Sequence, residues 1–119
     1  MRKLLAAFIG TFFAASLMFG QSDADLRAIT EKDKSSRDLA GKLMTLPAAE
    51  HAARGNVYFD NRHFPEAREH FQKLVDLYPD DPLQARALFV LGRSYYWERQ
   101  YGKCIDWLDR VSREFPGTK

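Results

Sequence analysis

Three histidines, one cysteine and a handful of carboxylates are the side chains of this 119-residue chain with the most chemistry in them. His51, His63 and His70 never stand four residues apart, so no helical turn offers the paired ring nitrogens that hold zinc. Cys104 lies far downstream of all three; being alone it closes no internal disulfide, and a small side chain on a buried helix face accounts for it. Glu66, Glu69 and Asp76 alternate with Arg68 and Lys73 in the manner of a solvated helix face, not of an acid/base pair. Neither a glycine-rich phosphate loop nor a Gly-x-Ser-x-Gly elbow occurs. The expectation is a chain without catalytic residues, metal or cofactor, and not an enzyme.

The elements that would position these residues are written twice. Ala48, Gly55, Tyr58, Phe64, Ala67, Phe71, Leu74 and Pro79 recur as Ala85, Gly92, Tyr95, Tyr101, Cys104, Leu108, Val111 and Pro116, each 37 residues on. Within each set the apolar residues are spaced by three, four and seven, the period of an α-helix, and no segment alternates as a strand does. Asp81-Pro82 reads as an N-cap followed by the first helical residue, and Pro65-Glu66 starts a helix in a similar way. "DNRH", Asp60 to His63, is a tight turn; Pro79 and Pro116-Gly117 stop the helices they follow. Helices are expected near 47–60, 64–77, 82–98 and 101–114. Upstream, 25–46 is a polar linker or short capping helix, with a helix expected over Arg37–Met44.

The amino terminus follows a different plan. Met1-Arg2-Lys3 precedes an uncharged apolar run, Leu4 to Phe19, and small residues follow near Gly20 to Ala24. This is the layout of a signal peptide, 1–24, cleaved after Ala24, with an uncleaved signal anchor as the alternative. That segment carries Arg2, Lys3 and Asp23, so its removal leaves a nearly neutral remainder. Basic and acidic residues are interleaved throughout without forming a stripe, which argues against nucleic acid.

The order glycine, tyrosine, aromatic, alanine, aromatic, proline over a helix-turn-helix unit resembles the tetratricopeptide repeat. The fold class expected is all-α, an antiparallel helix-pair solenoid of two repeats (about 48–81 and 85–118, within 47–119) after an N-terminal signal helix. "YPDDP", "ALFVLGRSYY" and the closing "FPGTK" are similar to the exported bacterial subclass of YbgF- and BamD-type repeat proteins. That resemblance implies a periplasmic or secreted scaffold of the cell envelope, or an inner-membrane-anchored form facing the periplasm, with membrane contact only through an uncleaved signal segment. It further implies that the first helix of each pair lines a concave peptide-binding groove, here Asn56, Phe59, Asp60, Arg86, Phe89, Arg93, Tyr96 and Trp97. Arginines beside aromatic rings suit an extended peptide bearing carboxylates and apolar side chains.

Gly55 and Gly92 are expected as notches where one helix approaches its partner, opposite Ala67 and Cys104. His51 and Arg54 stand where the repeat usually has large apolar residues, which weakens the first unit. Two repeats fall short of the three or so that make a stable stack, and the sequence ends at Lys119 where another helix would begin. The last helix is therefore expected to present an open apolar flank. A partner protein, another copy of the chain (a homo-oligomer through the C-terminal helix) or a continuation of a truncated array would cover it.

Overall fold

Pro65 lacks the amide hydrogen that the first turn of a helix leaves unpaired, and the helix beginning at Phe64 accommodates it there. The computed structural model describes residues 23–117. The segment read as a signal peptide lies outside the described residues except for its last two. Residues 23–35 are helical (α1), with Thr30 Oγ1 donating to the Leu26 carbonyl at 2.7 Å and Lys34 paired with Glu31 at 2.9 Å. This helix belongs to a unit separate from the one formed by the remainder of the chain from Ser36 onward.

In the second unit, α2 (Ala48–Asp60) packs on α3 (Phe64–Leu77), and α4 (Gln84–Trp97) packs on α5 (Tyr101–Glu114). The contact of α3 with α4 joins the two pairs. All regular elements among the described residues are helices. Three of the four expected helices lie within one residue of their predicted bounds. The fourth, α4, starts at Gln84 instead of residue 82. Asp81 does accept a backbone N–H, from Leu83 at 2.8 Å, while Gln84 N–H reaches the Asp81 carbonyl at 3.0 Å. The Asp-Pro pair thus makes a turn ahead of the helix, using the same side-chain chemistry that would have capped it.

The helix expected over Arg37–Met44 does not form. Asp38 takes the backbone N–H groups of Ala40 and Lys42 on one carboxylate oxygen, each at 2.9 Å, and offers the chain an alternative to the helical ladder. Gly41 adopts a φ of 80°, Met44 N–H donates to the Ser36 carbonyl, and an antiparallel bridge joins Arg37 to Leu43. This folded loop seals the leading side of the first pair. Leu43 is buried, the Tyr78 hydroxyl donates to the Leu46 carbonyl at 2.6 Å, and Arg37 grips Glu69 with two nitrogens at 2.6 and 3.0 Å. Glu69, read from sequence as part of a solvated face, is the anchor of that loop.

The core runs through both pairs, from Ala48 and Ala52 through Phe71, Leu74 and Val75 to Leu88, Leu91 and Val111. Gly55 permits close approach, but its neighbour is the ring of Phe71, not Ala67: a Cβ there would stand 2.6 Å from Phe71 Cε2. A Cβ at Gly92 would stand 3.0 Å from Leu108 Cδ2 and 3.4 Å from the Cys104 carbonyl oxygen. The repeat positions Tyr58, Ala67 and Cys104 are buried, Tyr95 is half-buried, and Pro79 and Pro116 are exposed just past α3 and α5.

His51 and Arg54 are interior side chains, though polar ones. His51 Nε2 accepts the Leu46 N–H at 3.0 Å, so with one proton per ring that proton sits on Nδ1 and is donated to His70 Nδ1, 3.0 Å away. Both imidazoles are fully buried, and Tyr58 stacks on His70. Arg54 binds Glu50 at 2.8 Å and the Ser36 hydroxyl at 3.2 Å. The first pair is held by a hydrogen-bonded polar centre where a helix pair of this kind would otherwise carry aliphatic residues.

Candidate functional site

The exposed arc of α4 carries Arg86, Phe89, Arg93, Tyr96 and Trp97, because the opposite face is spent on Leu88, Leu91, Ala87 and Ser94 in the core. Where that arc meets the end of α2, a cavity of about 200 Å³ opens, lined by Phe59, Asp60, Arg62, Phe64, Arg93 and Trp97. Phe59 and Phe64 meet edge to face with ring centroids 5.4 Å apart and form its apolar floor. Arg62 lies 5.7 Å from the centroid of the Trp97 ring. The Arg93 guanidinium stands between two rings, 5.6 Å from Phe59 and 5.8 Å from Phe89.

Arg93 is exposed and forms no ion pair among the described residues. Its forked donors are therefore open to a carboxylate while its plane is held by aromatic faces. Arg68 shows the contrast. It lies 4.4 Å over Tyr95, and its charge is consumed by Glu98 at 2.6 Å and by the Ser94 hydroxyl at 3.3 Å, which pins the first pair to the second.

The eight residues expected in one groove are divided by the structure. Phe59, Asp60, Arg93 and Trp97 line this cavity. Arg86 and Phe89 line a second, larger depression of about 490 Å³ between α4 and α5, with Pro82, Ala85, Leu108, Val111 and Ser112. Arg93 touches Phe89 and so stands between the two. Tyr96 packs edge-on against Trp97 and Tyr101, and Asn56 is half-buried; neither lines either of these two cavities. Sequence reasoning omitted Arg62 and Phe64, because "DNRH" read only as a turn and Phe64 only as a core ring. A turn arginine next to an aromatic is nevertheless a visible signal once the two pairs are set side by side.

This arrangement offers rings, two outward guanidinium groups and one carboxylate. It is equipped to bind, and what it resembles is specific. Residues 48–81 match the tetratricopeptide repeat. The matched segment spans α2, α3 and the turn that follows, and the helix pair recurs in α4 and α5. A tetratricopeptide repeat suggests protein–protein interaction. No curated protein and no solved structure matches the chain significantly.

Proposed function

We propose that this chain is a non-catalytic adaptor whose α2/α4 groove binds an extended peptide carrying carboxylates and apolar side chains. The observation that carries the reading is Arg93, exposed, without a carboxylate partner among the described residues and braced between Phe59 and Phe89. Arg62 beside Trp97 repeats the pairing of cation and ring a short distance away, so a peptide could set alternate acidic and apolar side chains along the same cavity. Asp60 at the lip would disfavour peptides that are acidic throughout and select those in which acidic residues are spaced. In the setting suggested by Met1-Arg2-Lys3 and the apolar run after it, the adaptor acts outside the cytoplasm in the cell envelope, as exported YbgF- and BamD-type proteins do.

A displayed library of spaced acidic and aromatic peptides tests the groove. Peptides selected on the unmodified chain should bind Arg93→Glu roughly tenfold to a hundredfold more weakly, with helicity unchanged by circular dichroism. Selected peptides that bind both forms equally would remove the groove from consideration. For the location, the intact mass of the protein recovered from cells should correspond to loss of residues 1–24; a mass retaining them would show an uncleaved anchor.

A further inference from the structure

We infer that the end of the unit where the 60–63 and 98–100 turns lie docks on the surface of an anionic lipid bilayer, its aromatic rings at the headgroup boundary and its cations on the phosphates. The two turns share that end, because Arg62 from the first reaches the Trp97 ring beside the second, 5.7 Å from its centroid. Three rings gather around the second turn: Tyr96 meets Trp97 and Tyr101 edge to face, with centroids 5.6 and 5.8 Å apart. They are 52%, 47% and 54% exposed, although each is large enough to have anchored a core. Tyr96 and Tyr101 line neither of the two cavities described above, so these rings have no slot there in which to grip a peptide side chain. Tyrosine and tryptophan, apolar in the ring and polar at the tip, are the side chains that rest at a membrane–water boundary.

The charges beside the rings have the sign that such a surface attracts. Arg62, Arg99 and Lys103 are exposed and enter no ion pair among the described residues. Of the carboxylates nearby, Glu98 is held by Arg68 at 2.6 Å and Glu66 lies 3.4 Å from His63, while Asp60, and Asp106 a turn further into α5, stand open. The opposite end is reversed in sign. Asp76, Asp80 and Asp81 follow one another around the α3–α4 junction, with no basic residue between Lys73 and Arg86. Arg110 and Arg113, towards that end of α5, are taken up by Glu114 and Asp109. The unit is thus polarised along its helices, and an anionic plane attracts the ringed end and repels the other.

The backbone points the same way. Arg62 and Arg99 occupy equivalent points of the two turns, and each holds a positive φ, 64° and 61°. Glycine would adopt that conformation at lower cost, so both turns forgo stability for a cation at the tip. Inside the unit nothing offsets that cost for Arg99, whose side chain enters no ion pair, hydrogen bond or ring contact among the described residues. A plane of phosphates does offset it, because a guanidinium binds phosphate through paired donors. For its setting the inference rests on the export reading proposed above, in which Arg2, Lys3 and the uncharged run from Leu4 to Phe19 carry the chain to a membrane.

Tryptophan fluorescence of the full chain on vesicles tests the inference. Trp107→Phe leaves Trp97 as the sole tryptophan, at the docking end, so its signal is separate from any insertion of residues 4–19. On equal mixtures of phosphatidylglycerol and phosphatidylcholine, Trp97 emission should shift to the blue and be quenched by lipids brominated near the headgroup. On phosphatidylcholine alone it should do neither. Arg99→Gly and Lys103→Gln should each lower the ratio of docked to free Trp97 roughly fivefold. Arg99→Gly also relieves the positive φ, so a loss in that variant does not come from unfolding. Should Trp107→Phe lower the helicity, the difference between the unmodified chain and Trp97→Phe gives the same reading. Equal quenching on neutral and anionic vesicles, no quenching on either, or quenching indifferent to both charge substitutions would overturn the inference. So would polyglutamate or a single-stranded oligonucleotide that shifts Trp97 emission as strongly as the vesicles do, which would assign this end to a soluble polyanion. The intact mass of the protein judges the export reading independently of these outcomes.

Discussion

Gly55 shows how much one missing side chain decides in this protein. Nothing on α2 other than hydrogen would fit against the Phe71 ring, which is itself buried at the centre of the first pair. Gly55→Ala would ordinarily gain helix propensity, but here the new methyl group must displace a ring with little room to move. A net loss of about 1–3 kcal/mol is expected in urea denaturation, against a small gain for Gly102→Ala, where a Cβ meets nothing. The glycine notch itself was legible in the sequence from its recurrence; its partner was not. Spacing places Ala67 and Phe71 on one face of α3 but does not say which of them slides under the glycine. The polar core was illegible for a related reason. His51 and His70 carry no sequence pattern that distinguishes a buried imidazole pair from two surface histidines, and only the packing of α2 on α3 brings their Nδ1 atoms together.

At the scale of elements, helix bounds followed from periodicity and proline, whereas the turns were set by chemistry that propensity alone misjudges. Arg62 and Arg99, at equivalent points of the two helix-helix turns, hold φ values of 64° and 61°, in the left-handed region that costs any residue with a Cβ. Neither position carries glycine, so nothing in the sequence announces the conformation. Arg99→Gly should relieve it and raise stability by about 0.5–1 kcal/mol, read as a higher urea midpoint at unchanged slope. Arg62 is a less suitable site for that exchange because its guanidinium faces Trp97 in the cavity. The 36–46 loop taught the same lesson from the other side. Leu39, Leu43 and Met44 have helical spacing, yet Asp38 and Gly41 together close a turn, leaving Leu43 buried while Leu39 and Met44 are exposed.

For the unit as a whole, stability must be distributed unevenly from its first helix pair to its last. The first pair is covered on one side by the loop and on the other by α4, whereas α5 buries only Cys104 and Val111 fully. In a stack where each element is stabilised by its neighbours, the last helix opens at the lowest free energy. Amide hydrogen exchange should therefore show α5 exchanging first, and α3, with its buried Phe71, Leu74 and Val75, last. Uniform protection across the four helices would refute that order. The exposed flank of α5 was expected from the apolar spacing of its residues, and Tyr101 and Ile105 are indeed exposed. The division of the expected groove into two depressions was not visible, because it depends on how far α4 is rotated over α2, and a helical wheel is silent on that rotation.

The paired imidazoles carry a consequence for how the protein comes apart. A chain of hydrogen bonds runs from the Leu46 amide through His51 to His70, so peeling the leading loop away would break the bond that the buried His51 accepts. Loop departure and separation of the two helices beneath it are wired into one event, and the ribbon before α2 behaves as a keystone instead of a loose strap.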